Sequence, residues 1–300
     1  MPTLNSNNTS IYYETVGQPH NPCIIFIMGI GGQLIHWPDA LIQGIAARGF
    51  FVVTFDNRDV GLSGYYDHLP TPTINQALAA QQAGETIDLP YTLIDMADDV
   101  VTLMDGLAIS TAHIVGISMG GFIAQYLALN HATRLLSVTL MATSSGDPGL
   151  PSPSDQVLDY FFKSKKDSVA STVGVLHEAI QRHVEQYQLY SYPDMDDLAA
   201  VIALQTKAYW RAYHPQGQQR QLLAVMFAKP RGKLLKAVNL PVLIIHGDHD
   251  PVVPVEHAYQ LAACLPHAQL KIIEQMGHIV TQRTCPTVID LIAAHCQHAN

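Results

Sequence analysis

Charge is scarce in this sequence: Asp, Glu, Lys and Arg make up 14% of 300 residues, against 48% hydrophobic residues. That balance excludes an intrinsically disordered chain, and the length allows one large α/β domain or two ordinary ones, of which surface-to-volume scaling favours one core carrying an insertion. Positive charge is the scarcer sign, 16 Lys and Arg against 25 Asp and Glu, a net charge of −9 with histidine neutral. A protein that binds nucleic acid by neutralising phosphates needs the opposite sign, so nucleic acid is excluded as a partner. Protonating most of the 15 histidines below about pH 6 would cancel the acidic excess, which bears on solubility and not on fold.

Cysteine is also scarce. Cys23, Cys264, Cys285 and Cys296 show no C-x-x-C spacing and are too few to staple a chain this long, which points to reduced thiols in a cytosol. No Lys or Arg precedes Arg48, so the positive region of a secretory signal is missing. The longest apolar runs, such as Cys23 to Met28 and Val242 to Ile245, fall well short of the roughly 20 residues of a membrane span. The expectation is a soluble cytoplasmic protein without a membrane partner; whether it forms a homo-oligomer is left open.

What is present is an alternation of short apolar runs, turns and longer helical patterns, as expected of a parallel sheet covered on both faces by helices. The runs are Cys23 to Met28, Phe51 to Phe55, Ala112 to Ile117, Ser137 to Met141, Val242 to His246 and Leu270 to Ile273, and each reads as a central strand. Met96, Val100, Leu103, Met104 and Leu107 share one helical face between Thr92 and Leu107, with Thr92 and Asp95 as a capping box. A second helix is predicted from Gly120 to Asn130. After Ala142 the chain turns rich in Gly, Pro and Ser, and strand patterns vanish until Asn239. The stretch from about 155 to 235 is helical in pattern and rich in Tyr, including Tyr187, Tyr190, Tyr192, Tyr209 and Tyr213, and reads as an insertion into the sheet domain.

Gly116-Ile117-Ser118-Met119-Gly120 fits G-x-S-x-G. The pattern alone is weak, but here a strand runs straight into it and a helix straight out. Such a turn strains the serine backbone, and a Cβ on either flanking glycine would collide. The helix N-terminus beneath Ser118 favours negative charge. A serine nucleophile needs a base oriented by a carboxylate. Asp248 and Asp250 in Gly247-Asp248-His249-Asp250-Pro251 follow one strand, and His278 in Gly277-His278 follows the next, all at the edge where sites of open α/β sheets collect. Among other histidines, His246 reads as buried in its strand, while His249 and His257 are expected near solvent.

With these motifs in order, the sequence resembles the α/β-hydrolase-fold serine hydrolases over nearly its whole length. The resemblance implies a mostly parallel central sheet flanked by helices, with a helical cap inserted between strands 6 and 7. It divides the chain into a first core segment 1–145, a cap 146–235 and a second core segment 236–300. It implies Ser118 as nucleophile, Asp250 rather than Asp248 as the acid, and His278 as the base. The oxyanion hole would be the backbone N–H groups of Met119 and Ile30, although Met28 stands where the family commonly has a histidine. Asp56-Asn57-Arg58-Asp59-Val60-Gly61-Leu62-Ser63 resembles the family's D-x-R-G-x-G-x-S segment, with Asp59 at a position where glycine is common. Arg58 is read as architectural.

Other chemistries fit less well. Gly29-Ile30-Gly31-Gly32-Gln33-Leu34 lacks the third glycine of a dinucleotide loop, no phosphate-loop motif occurs, and His177-Glu178-Ala179-Ile180-Gln181 fails H-E-x-x-H at its last position. His246, Asp248, His249 and Asp250 sit on a tight turn with alternating directions, against a shared metal. No cofactor and no metal are therefore expected. The C-terminal His295-Cys296-Gln297-His298 reads as a frayed helix end. Gly29, Tyr209, Trp210 and Tyr213 are the expected pocket residues, and Tyr209 through Gln221 is similar to the cap of a subgroup that includes methylesterases and enol-lactonase-like enzymes. The expected activity is hydrolysis of a small, largely apolar or aromatic carboxylic ester. The same triad could instead serve a lactone, thioester, C–C bond or peracid, or a ligand receptor with little turnover.

Overall fold

The computed structural model describes residues 3–6, 9–162, 172–193 and 196–299. Among these, eight strands form one sheet: β1 Thr3–Ser6, β2 Thr9–Val16, β3 Cys23–Ile27, β4 Phe51–Phe55, β5 Ala112–Ile117, β6 Leu135–Met141, β7 Val242–Gly247 and β8 Ala268–Ile273. Their spatial order is β1-β2-β4-β3-β5-β6-β7-β8, antiparallel between β1 and β2 and between β2 and β4, and parallel elsewhere. The chain therefore leaves β3 outward to β4 and returns to β5 on the other side of β3. That reversal opens a crevice at the carboxyl ends of β3 and β5.

The helices are α1 Asp39–Ala47, α2 Ile74–Gln82, α3 Leu93–Gly106, α4 Met119–Asn130, α5 Asp155–Phe162, α6 Thr172–Ser191, α7 Leu198–Arg211, α8 Pro215–Met226, α9 Gly232–Leu235, α10 Glu256–Cys264 and α11 Cys285–His298. Side chains alternate across the buried strands. Ile25, Ile27, Val53, Phe55, Ile114, Leu140 and Ile244 face α3, α4 and α10, while Ile24, Phe26, Val52, Val115, Ile117 and Ile245 face α1 and α11. Burial on both sides explains why these strands read as unbroken apolar runs. At α3 the Thr92 hydroxyl accepts from Asp95 N–H and the Asp95 carboxylate accepts from Thr92 N–H, forming the expected capping box. Among the described residues, α5 to α9 all fall between β6 and β7, and none of the helices is long and apolar enough to cross a membrane.

Two expectations need correction, and two strands went unread. Ala268–Ile273 is an edge strand with alternating exposure, not a central one. β1 and β2 lie outside the six runs read as strands and pair at the opposite edge; one-sided burial asks for less apolar sequence than a central position does. The C-terminal helix is seated through its last turn, with His295 and Cys296 buried against the sheet face covered by α1 and α11.

Candidate active site

Ser118 stands between β5 and α4 at φ 54° and ψ −119°, a conformation that costs a non-glycine residue backbone strain. The turn is that tight because β5, β3 and α4 touch through backbone. A Cβ on Gly116 would overlap the Gly120 carbonyl, and one on Gly120 would overlap the Ile27 carbonyl. Ser118 N–H donates to Met141 O at 2.9 Å, and its own carbonyl accepts from Gly121 N–H at 2.9 Å and from the Thr143 hydroxyl at 2.8 Å. These bonds offset the strain and hold the serine at the crevice.

Asp250 and His278 come from the loops after β7 and β8, and both are buried. His278 Nδ1 lies 2.8 Å from Asp250 Oδ2, while Asp250 Oδ1 accepts from Val252 N–H and Val253 N–H, each at 2.8 Å. A proton on Nδ1, shared with the carboxylate, leaves Nε2 as an acceptor. Burial pushes the Asp250 carboxyl upward, but His278, His246 and the Val253 N–H together hold it below the usual carboxylate range. The backbone N–H of His278 donates to Tyr190 O at 2.6 Å, and the Tyr190 ring meets the imidazole edge-on at 5.3 Å. Gly247 and Gly277 make this packing feasible, since a Cβ on either would overlap backbone oxygens.

Ser118 and His278 line one cavity of about 1110 Å³, with Asp250 behind the imidazole. The loop from Met28 to His36 forms another wall. A Cβ added at Gly29 would lie 3.2 Å from Ser118 Cβ and 3.7 Å from its Oγ, so a side chain there would crowd the serine. Ile30 lines the same wall, and Met119 follows the serine directly.

Of the predicted pocket side chains, Tyr209 and Tyr213 line the cavity and stack on each other with ring centroids 4.6 Å apart. Trp210 does not: it is 70% exposed and outside the lining. One residue is 100° of helix, so Trp210 turns away from the cavity side of α7 that Tyr209 occupies, while Tyr213 reaches the Tyr209 ring from the extended segment after Arg211. The cavity also holds His36, His183, Gln186 and Tyr190, none of which carried a motif. Burial pushes His183 down to about 4, so this imidazole is neutral near pH 7. The Tyr-rich composition around Tyr187 and Tyr190 was the available signal for this wall.

His246 is buried behind the carboxylate, with Nε2 2.7 Å from Val253 O and 3.4 Å from Asp250 Oδ2. His249 turns outward and pairs with Asp248, so this turn does not converge on a metal. His257 is not a free solvent histidine, because its ring bridges Ser144 Oγ at 2.7 Å and Pro151 O at 2.9 Å. Arg58 is architectural: it grips Asp99 with two bonds of 2.6 and 2.8 Å between the rings of Tyr66 and Tyr91. Asp59 adopts φ 67°, the conformation glycine favours, and its buried carboxylate takes two bonds of 2.7 and 2.8 Å from Arg220. Asp59, Asp67 and His214 could in principle share a cation, but the Arg220 guanidinium already bonds both carboxylates.

Residues 22–281 match the family model described as the alpha/beta hydrolase fold. The chain is similar to rhodomycin D methylesterase DauP of Streptomyces sp. strain C5, at 29% identity over 100% of this chain and 99% of that protein. It is 26% identical to 3-oxoadipate enol-lactonase 2 of Acinetobacter baylyi over 91% of this chain and 88% of that one. Among solved structures, the enol-lactonase from Burkholderia xenovorans LB400 superposes with a TM-score of 0.73 at 22% identity, covering 99% of this chain and 100% of that chain. The 2-hydroxy-6-oxo-6-phenylhexa-2,4-dienoate hydrolase of Rhodococcus sp. strain RHA1 gives a TM-score of 0.75 at 18% identity, covering 98% and 97%.

Proposed function

The chain belongs to the alpha/beta hydrolase fold family, and from that premise we propose that it hydrolyses a carboxylic ester through an acyl-enzyme formed on Ser118. The observation that carries the reading is the strained Ser118 on the same cavity as an imidazole whose Nδ1 is bonded to a buried carboxylate. The similarity to a methylesterase over the full chain supports an ester as the electrophile.

In this mechanism His278 Nε2 takes the Ser118 proton as Oγ attacks the ester carbonyl carbon. The carbonyl oxygen becomes an oxyanion held by the N–H groups of Ile30 and Met119. The imidazolium, stabilised by Asp250, passes its proton to the departing alkoxide and the alcohol leaves. Water then gives a proton to His278 and adds to the acyl carbon; collapse restores Ser118 and releases the acid. Residues 146–235 act as a cap, and Tyr209 and Tyr213 with Gly29 line a pocket that favours an apolar or aromatic group. The enol-lactonase relative supports a second substrate type, a lactone, for which the steps are the same but the leaving oxygen stays in the product.

Ser118→Ala is expected to lower turnover of p-nitrophenyl acetate by at least about 10⁴-fold while leaving the folded structure intact. A folded variant with wild-type turnover would overturn the proposal. Comparing linear esters of increasing acyl length with lactones then separates the two substrate types.

A further inference from the structure

The loop that carries Ile30 is a poor device for aiming a hydrogen-bond donor on its own. Gly29, Gly31 and Gly32 surround Ile30, and glycine-rich backbone is the easiest to deform. An oxyanion donor, however, must be held to within a few tenths of an ångström of the developing charge. A turn bond from Gly32 N–H to Gly29 O at 3.2 Å and a bond from the Asn57 amide to Met28 O at 3.1 Å brace the loop on the sheet side, and α8 supplies the hold from the other side.

Gln221 on α8 is fully buried. Its Oε1 accepts from Gly31 N–H at 2.8 Å, and its Nε2 donates to Arg58 O at 2.8 Å. The amide can satisfy both partners in one orientation only, since one needs an acceptor and the other a donor. Gly31, at φ +68°, also packs on α8: a Cβ there would lie 3.1 Å from the side chain of Gln218. The helix is itself seated close by, with Gly217 against the Asp59 backbone and Arg220 bonded to the Asp59 carboxylate.

We propose that Gln221 is a positioning residue for hydrolysis: by holding Gly31 N–H it fixes the adjacent Ile30 amide beside Ser118, so that the oxyanion-binding loop is competent only with α8 seated. This rests on the reading of Ser118 as nucleophile and Ile30 as donor. Because the donor matters most when charge has developed, the loss of Gln221 falls on the transition state and not on substrate binding.

The test uses the full chain, p-nitrophenyl acetate, and phenylboronic acid, which adds the Ser118 oxygen to boron as the serine proton passes to His278 and so presents a tetrahedral anion. Gln221→Met removes both bonds at similar volume. Its kcat is expected to fall about 10- to 100-fold, with KM within about threefold and boronate affinity weakened in parallel with kcat. Gln221→Glu keeps the acceptor for Gly31 N–H and is expected to lie between Gln221→Met and wild type in both readouts. If Gln221→Met does not fold, Gln221→Glu carries the test through a reduced kcat at constant KM. A folded variant whose melting temperature drops while kcat and boronate affinity stay within twofold of wild type reduces Gln221 to a structural role and overturns the inference alone. Wild-type protein that fails to bind the boronate, together with an active Ser118→Ala variant, overturns the nucleophile reading and this inference with it.

Discussion

The two walls of the crevice are held by different forces. The sheet wall is apolar: β3 and β5 are buried along their whole length, and the turns that present Ser118, Asp250 and His278 are set by backbone contact at glycine. The wall made by the inserted helices is attached through buried arginines. Arg211 on α7 reaches Asp56 at 2.8 Å, Arg220 on α8 grips Asp59, and Arg231 just ahead of α9, fully buried, donates to Gln125 and Ser144 O and lies over the Phe122 ring. Apolar contact supplies cohesion without direction, whereas a two-bond arginine contact fixes angle and register. Buried ion pairs add little net stability over apolar packing, yet breaking one is costly. The contrast teaches that Ser118 and Asp250 are placed by the sheet and its loops, while the helices above it are held in one pose by polar contacts and reach His278 and the loop at Gly31 from that pose.

The sharpest way to break this comparison is to change each wall separately. Asp250→Asn, on the sheet wall, is expected to lower kcat by on the order of 10⁴-fold, because the asparagine no longer holds the Nδ1–H tautomer of His278. Steady-state kinetics on the ester would show it; a loss below tenfold would remove Asp250 from the mechanism.

Arg220→Met, on the helical wall, leaves Asp59 buried without its partner and should cost about 3–5 kcal/mol in urea unfolding. The double variant Asp59→Asn with Arg220→Met should recover much of that, as expected for coupled residues. Additive losses in the cycle would mean that the pair does not act as a unit.

Acid should act on the helical wall next. His183 is pushed down to about 4 by burial, so folding favours its neutral form. Its contribution is complete above the ordinary imidazole value near 6.5, and it is lost as the pH falls from there to about 4, at most on the order of 3 kcal/mol. Urea midpoints measured between pH 7.5 and 4.5 should fall, and His183→Gln should flatten that slope. An unchanged slope would place the acid sensitivity in His36, His246 or His295, which burial also holds below the ordinary value.

The smallest effect is expected at Trp210. It sits on the helical wall but faces outward, and Trp210→Ala should change stability by no more than about 0.5 kcal/mol and leave ester turnover at wild type. A tenfold loss of kcat/KM would return the indole to the pocket.

Residues of the site differ in how far they can be read from the chain alone. Ser118 and His278 each stand in a short motif at the end of an apolar run, whereas the same local pattern offers Asp248 as well as Asp250, and only the family resemblance chooses between the two acids. The polar strands β1 and β2 and the alternating edge strand β8 are harder to see, because one-sided burial leaves only a faint hydrophobic pattern. The choice between Tyr209 and Trp210 is harder still, since an aromatic stripe on a helix does not say which face turns inward.

By itself the sequence determined the strained serine turn, the buried strands and the helix caps, because each is a matter of sterics and hydrogen bonding within a few neighbouring residues. Only the tertiary structure decided that Gln221 would meet Gly31 across 190 residues and that Arg220 would meet Asp59 across 161. A buried donor must find an acceptor, but which one it finds depends on how the helices dock on the sheet, and no local pattern carries that information.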